Sequence, residues 1–383
     1  LFFTGEEERL SEAARAMHDA LRAMGVEIRP LVSDRDWDRL RVSLRFTNAV
    51  VDGILGTGTH GELRKPVLRV IEEINAAGRP VMAIDIPSGV EADTGRIGSI
   101  AVRAERTLAL GLPKVGHLLG AGANAAGQLL VDDIGIPRAL LEGEALRQSL
   151  ITREAAAKLL PARARDVHKG SCGRILMLAG SLGMTGAAAL AAEAALRIGA
   201  GLVTLAVPER LYPVLAAKLT EVMVVPIPDE GTGCFGGMKA LEAALSLAQN
   251  MDAVLIGPGL GRKAETSEFV RLFAADVKVP LVMDADAIAA FQGHLDALRD
   301  LPQVPILTPH LGEFAALLGK TVDEVEDDLL GVAREAAHAH QAVFVVKSAC
   351  TIVVYPDGDA FFTTVGNAGM ATAGAGDVLA GAI

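Results

Sequence analysis

The sequence runs to 383 residues, 51% apolar but only 4% aromatic, with 41 glycines. That length suits two or three domains, and that mix suits buried parallel strands under closely packed helices. A formal net charge of −11, without basic clusters, excludes an electrostatic binder of nucleic acid or anionic lipid, although backbone N–H groups can still hold phosphates locally.

In chain order, residues 10–24 carry the apolar spacing of an amphipathic helix, and 26–31 read as a short strand. Residues 49–55 form a hydrophobic strand. A helix over 66–77 is built on Val67, Leu68, Val70, Ile71 and Ile74, and 81–86 is a buried strand ending at Pro87-Ser88-Gly89. Strands at 107–110 and 128–131 complete an alternation that predicts right-handed βαβ units and a parallel sheet. A proline, charges and a helix-like run at 153–160 mark 137–165 as a boundary. A second βα series follows, with strands at 174–179, 202–208, 253–256, 279–283, 304–307 and 343–346 and helices at 186–199 and 241–249. Segments 351–355 and 360–364 predict a hairpin around Asp357-Gly358, and the glycine-rich stretch 366–376 opens a last helix. No fixed-period repeat occurs. Trp37, between acids and arginines, reads as an edge packing residue.

Three cysteines, Cys172, Cys234 and Cys350, lack metal-ligand spacing and are odd in number, so reduced thiols in a cytoplasmic protein are expected. No run of about 18 apolar residues free of charges or breakers marks a membrane span, and no signal peptide is visible. The sequence opens as if inside a strand and closes as a helix cut short, so truncation at both ends is expected.

In the first half, the segment Asp52 to Glu62 (DGILGTGTHGE) sits where a strand ends. Small residues there let backbone amides approach a phosphate, and Thr57 and Thr59 add hydroxyls; a plain tight turn has the same spacing. Asp85 ends a buried strand, where open α/β sheets bind ligands; a turn cap is the competing role. Together, VDGILGTGTHGELR, AIDIPSGVEADTG, LGLPKVGHLLG and VDDIGIP, in this order, closely resemble NAD(P)H-hydrate epimerases over roughly residues 1–140. The resemblance implies that Gly56, Thr57, Gly58, Thr59, His60, Gly61 and Glu62 hold the phosphates of the hydrate. It implies that Asp85 contacts the substrate and works as acid and base, and that Asp52 and Ser88 ligate K+ through hard oxygen donors. The Asn-Asn-Gly-Gly-Asp type loop of that family does not occur in the sequence, so the epimerase half as it stands is expected to be catalytically defective.

In the second half, GNAGMATAGAGD (366–377) places glycines before a helix, an anion-binding arrangement that ends on Asp377. Such an Asp can deprotonate a hydroxyl that attacks a phosphoryl group, or simply cap the helix. With the segment 168–208, GPGLG (257–261), DADAI (284–288), TPHLGEF (308–314) and KSACT (347–351), it resembles NAD(P)H-hydrate dehydratases of the ribokinase-like superfamily over about 150–383. The resemblance implies that Ala187, Gly259, His310 and Asp377 contact the hydrate. Lys347, Ser348, Ala349, Cys350, Thr351 and Gly376 would hold ADP or ATP, with Mg2+ bridging its phosphates and Asp377 as catalytic base. Ser348, Ala368, Ala373 and Ala375 depart from the Gly, Pro, Gly and Thr common in the family. The helices that usually complete this domain are not in the sequence, so poor folding is expected. Read without the resemblance, His310 fits a turn histidine, and Asp284 with Asp286 either a cap or a cation pair.

The expected architecture is α/β with two domains: a Rossmann-like parallel-sheet sandwich over 1–142 and a ribokinase-like α/β/α domain over 150–383. The expected function is repair of hydrated NAD(P)H, by epimerisation and by ADP-dependent dehydration. The competing reading is a small-molecule kinase with an N-terminal binding or scaffold module. Small-residue helix faces in the second half permit a homo-oligomer, the state expected.

Overall fold

The computed structural model describes residues 1–143 and 146–383 and divides into two compact units, Leu1–Glu144 and Ala145–Ile383.

In the first unit, β1 (Phe2–Phe3) pairs with β2 (Arg29–Pro30), and a separate sheet runs β3 (Val50–Asp52), β4 (Val81–Ile84), β5 (Arg106–Leu110), β6 (Gln128–Asp132), every pairing parallel. The expected strand at 26–31 shrinks to two residues. A helix that sequence patterning missed, Asp34–Phe46, opens with the Ser33 amide donating to the Asp36 carboxylate at 2.9 Å. Its residues Trp37, Leu40 and Leu44 fall on one face and bury against Val70, Ile71 and Ile74 of the helix Val67–Ala77. Trp37 is therefore a core residue and not an edge one: it is 5% exposed, with the Arg69 guanidinium 4.2 Å from its ring centroid.

The second unit is built on ten strands: β7 (Gln148–Leu150), β8 (Arg174–Leu178), β9 (Leu202–Pro208), β10 (Met223–Ile227), β11 (Ala253–Ile256), β12 (Leu281–Met283), β13 (Ile306–Leu307), β14 (Val343–Val346), β15 (Thr351–Val354) and β16 (Ala360–Thr363). They form one sheet in the order β10-β9-β8-β11-β12-β13-β14-β15-β16-β7. From β10 to β14 all pairings are parallel; β15 and β16 form the expected antiparallel hairpin. The apolar runs of β8, β9 and β11 are buried on both faces, as covered parallel strands require. Six alanines of the Ala-rich helix Thr185–Ile198 are buried, and the last helix, Ala375–Ala382, packs on it.

Strand order reverses between β8 and β11, so connections leave the two strand ends in opposite directions and open a crevice there. Gly257, at the end of β11, has φ 138°, and a β-carbon on it would overlap the carbonyl of Asp284. Gly257→Ala is therefore expected to destabilise the protein at the upper end of the about 1–3 kcal/mol typical of overpacking. Urea unfolding measures this, with Gly186→Ala, which meets nothing within 4 Å, as the near-neutral control.

Among the described residues no helix is long and apolar enough to cross a membrane.

Candidate functional sites

In the first unit the segment after β3 folds back on the segment after β4. Asp52 is 1% exposed. Its Oδ1 accepts from the Ser88 hydroxyl at 2.6 Å and its Oδ2 from the Ser88 amide at 2.8 Å. Ser88 Oγ in turn accepts from the Leu55 amide at 2.9 Å. Burial holds the Asp52 carboxyl above its usual range, with the Ser88 hydroxyl and the Ser88 and Ile54 amides opposing. No cationic side chain pairs with Asp52 among the described residues. A buried carboxylate beside a hydroxyl and the Leu55 carbonyl, 3.4 Å from Ser88 Oγ, without a counter-ion, is a donor set that fits a monovalent hard cation.

Downstream, Gly56, Thr57, Gly58, His60 and Glu62 are exposed on the loop and Gly61 is half-buried. Thr59 is buried and donates its hydroxyl to the Gly56 carbonyl at 2.9 Å, bracing the loop from within. Sequence reasoning passed over Glu91, 8% exposed, which accepts from the Gly61 amide at 2.9 Å and the Thr94 hydroxyl at 3.0 Å. Burial raises the Glu91 carboxyl, but the Gly61, Thr94 and Arg96 contacts outweigh it and hold it below the usual carboxylate range. Asp85 stands at the end of β4 with φ 68°, a left-handed conformation that Asp tolerates better than most residues. Its Oδ1 accepts from the Leu110 amide at 3.0 Å and from the Lys114 ammonium.

In the second unit, the carboxyl ends of β8, β11, β12, β13 and β14 share one edge and lock by backbone hydrogen bonds: Gly180 N–H to Pro258 O at 2.8 Å, Asp284 N–H to Ile256 O at 3.1 Å, Thr308 N–H to Met283 O at 3.1 Å and Lys347 N–H to Pro309 O at 2.8 Å. Gly259, φ 66°, lies so close to the helix start that a β-carbon there would stand 3.1 Å from Ala187 Cβ. The structure thus brings Gly259 and Ala187 together. His310 instead caps the helix Leu311–Leu318: its Nδ1 accepts from the Glu313 amide at 3.2 Å, and its side chain is 60% exposed.

The centre of this edge is a charge cluster. Asp284, 2% exposed, accepts from Thr308 Oγ1 at 2.6 Å and Lys347 Nζ at 2.9 Å, both on Oδ1. The next residue, Ala285, has φ 49°, strain of a kind that collects at functional sites. Asp286 accepts from the Gly261 amide at 2.9 Å and Arg262 at 3.0 Å. Of the two sequence options, Asp286 takes the turn role; Asp284 instead pairs with Lys347, a partner the sequence reading did not consider. The last helix starts at Gly374 in a left-handed conformation, φ 87°. A β-carbon on Gly376 would be 3.5 Å from Lys347 Nζ. Asp377 follows, half-buried. Burial first, then repulsion from Asp284 and Asp286, holds its carboxyl above the usual range, with Lys347 opposing. The segment from Ser348 to Thr351 forms the turn from β14 to β15, with Ala349 exposed and Cys350 buried. Burial pushes the Cys350 thiol up to about 11, so that residue offers a ligand only its backbone. No group of three metal-ligating side chains occurs among the described residues. Asp284 Oδ2, which accepts no hydrogen bond among the described residues, fits Mg2+ that arrives with phosphates and draws most of its ligands from phosphate and water.

A doubly wound sheet with a carboxylate at a helix N-terminus, facing a lysine across a glycine-rich turn, defines a nucleotide-dependent α/β enzyme. The family model described as NAD(P)H-hydrate dehydratase matches residues 175–383, and that described as YjeF-related protein N-terminus matches 1–116. The chain belongs to the family of bifunctional NAD(P)H-hydrate repair enzymes. It is 39% identical over 383 residues to the enzyme of that name from Moorella thermoacetica, spanning 100% of this chain and 72% of the relative. It is 36% identical to the one from Thermofilum pendens, with the same coverage. Among solved structures, the ADP/ATP-dependent NAD(P)H-hydrate dehydratase from Bacillus subtilis, co-crystallised with ATP/Mg2+, matches with TM-score 0.51 and 32% identity over 60% of this chain and 77% of that one. A ribokinase-like superfamily protein from Enterococcus faecalis gives TM-score 0.52 at 25% identity, over 62% and 78%. The second unit is ribokinase-like, as the sequence motifs implied.

Proposed function

We propose that the chain repairs hydrated NAD(P)H, with residues 1–142 interconverting the two C6 epimers and 150–383 dehydrating one of them at the expense of ADP or ATP. The observation that carries this reading is the placement of Asp377: a half-buried carboxyl at a helix N-terminus, beside Lys347 and Gly376 and across from Asp284.

Asp377 takes the proton of the C6 hydroxyl. The hydroxyl oxygen attacks the terminal phosphoryl group, whose bond to the nucleotide breaks. The amides of the Gly374–Asp377 turn and the Lys347 ammonium stabilise the charge that develops. Phosphate then leaves C6, pushed by the ring nitrogen lone pair, to give an N1=C6 iminium ion, and loss of a C5 proton to the departing phosphate or to water forms the C5=C6 double bond of NAD(P)H; phosphate leaves far more readily than hydroxide. Ala187, Gly259 and His310 contact the hydrate in this reading, and Lys347 to Thr351 with Gly376 hold the nucleotide. Asp284 would help hold the Mg2+ that arrives with the nucleotide, and that ion would supply charge neutralisation at the phosphates. In the first unit Gly56 to Glu62 bind the phosphates of the hydrate, Asp85 moves the proton, and Asp52 with Ser88 holds K+. A homo-oligomer would cover apolar side chains such as Leu190, Val378 and Leu379, each over a third exposed.

The test follows NADH fluorescence after adding hydrated NADH and ADP with Mg2+. Recovery without a lasting phosphorylated product is expected, and starting from the disfavoured epimer it should still run to completion. A stable phosphomonoester of some other alcohol, with no NADH recovered, refutes the repair reading in favour of a small-molecule kinase.

A further inference from the structure

The segment Gly111 to Gly120 follows β5 and carries two side chains that the roles above leave unused, Lys114 and His117. Both converge on Asp85. The Lys114 ammonium donates to Asp85 Oδ1 and, at 2.8 Å, to the Leu110 carbonyl. His117, 4% exposed, accepts the Lys114 amide on Nδ1 at 3.0 Å. Its ring proton is therefore on Nε2, which donates to the Asp85 carbonyl at 2.8 Å. One histidine thus ties the backbone of the lysine turn to the backbone of the left-handed aspartate. Burial first, then the neighbouring lysine, keeps this imidazole below its usual range and so neutral, although the Asp85 carbonyl pulls the other way.

The ion pair leaves hydrogen-bonding capacity open where its side chains reach the surface. An ammonium has three donors, and Lys114 spends two. Both hydrogen bonds to the Asp85 carboxylate fall on Oδ1, so Oδ2 takes none among the described residues. The two side chains keep 20% and 21% of their surface open. The pair therefore presents one free N–H and one free carboxylate oxygen side by side, an acid next to a base.

We propose that Lys114 is the catalytic acid of the epimerase, paired with Asp85 as base, and that His117 is the positioning residue that holds the two in register. The inference rests on the epimerase reading of the first unit. The hydrated ring carbon bears a hydroxyl and a bond to the ring nitrogen. Asp85 Oδ2 removes the hydroxyl proton, the oxygen electrons form a C=O bond, and the C6–N1 bond breaks with its electrons on nitrogen. Lys114 delivers a proton to that nitrogen. The ring is now open and C6 is a planar aldehyde carbon. Rotation about C5–C6 and the reverse of both proton transfers close the ring on the other face. Every proton and electron pair returns, so no co-reactant is consumed.

The experiment measures interconversion of the two NADH hydrates by the protein expressed from its whole reading frame, as wild type, Lys114→Ala, Lys114→Arg and His117→Gln. ADP-dependent dehydration by the second unit of the same molecules is the internal control. Lys114→Ala is expected to lower the epimerisation kcat by roughly 10²–10⁴-fold, the usual worth of a general acid, with KM and dehydration unchanged. Lys114→Arg should stay close to Lys114→Ala, because a guanidinium keeps its proton in a protein, and His117→Gln should fall between Lys114→Ala and wild type. Added alkylammonium ions should restore Lys114→Ala, faster for more acidic ammonium ions. Undiminished epimerisation in Lys114→Ala overturns the inference while leaving the epimerase reading intact. So does amine rescue without dependence on ammonium acidity, which would mark a mere counter-charge. A wild-type protein that dehydrates but does not epimerise overturns the epimerase reading and the inference with it.

Discussion

Asp377→Ala is expected to lower ADP-dependent dehydration by roughly 10²–10⁴-fold in kcat, with the KM for ADP little changed, because a general base acts on the transition state while backbone amides do most of the phosphate binding. Steady-state NADH recovery measures it. Asp377→Asn adds a second readout. In the folded protein the Asp377 carboxyl titrates above its ordinary range because burial and neighbouring carboxylates penalise the charge. The folded state therefore binds that proton more tightly than the unfolded one. The site favours folding most at acid pH, where the carboxyl is neutral, and this contribution is lost as pH rises through the ordinary carboxylate range to the raised folded value. Removing the charge should thus raise Tm at neutral pH and do little at acid pH, while activity disappears. The acid limb of the wild-type dehydration profile should likewise lie above the range of an ordinary aspartate. Equal Tm values for the two proteins at neutral pH would contradict this account.

The second large effect is expected at Asp85. Asp85→Asn should cut epimerisation by roughly 10²–10⁴-fold and leave Tm near wild type, since Asn also tolerates the left-handed backbone that φ 68° imposes. Asp85→Ala should lose the same activity and also stability, because a residue without that tolerance costs about 1–2 kcal/mol in this conformation. Comparing chemical denaturation of the two variants separates chemistry from backbone strain. If both lose stability equally, the aspartate side chain itself supports the turn.

The strand ends that carry the sites were legible because each is a short apolar run broken by glycine, proline or a polar residue. Examples are Ile256 into Gly257, Met283 into Asp284 and Val346 into Lys347. The strand β10 was not legible. Its run contains Pro226, a residue that demotes a strand, and the structure puts it at the sheet edge, where a missing N–H is tolerated. The helix Asp34–Phe46 was hidden by its charged residues, although Ser33 with Asp36 and the spacing of Trp37, Leu40 and Leu44 were a readable start and face. In the sites, motif resemblance named the residues proposed to meet substrate and nucleotide. It did not reach Glu91 beneath Gly61, or Lys114 and His117 against Asp85. Those contacts join residues about thirty positions apart, and periodicity does not report such pairings. Asp284 was noted in the sequence, but its choice of Lys347 and Thr308 as partners required the sheet.

The seclusion of Cys350 bears on how the turn proposed to hold the nucleotide withstands oxidants. A thiol that is 5% exposed and titrates near 11 holds almost no thiolate at neutral pH, and thiolate is the form that peroxides and electrophiles attack. The sulfur in this turn is thus chemically quiet, and a thiol-directed reagent should mark Cys172 and Cys234, both partly open, well before it touches Cys350.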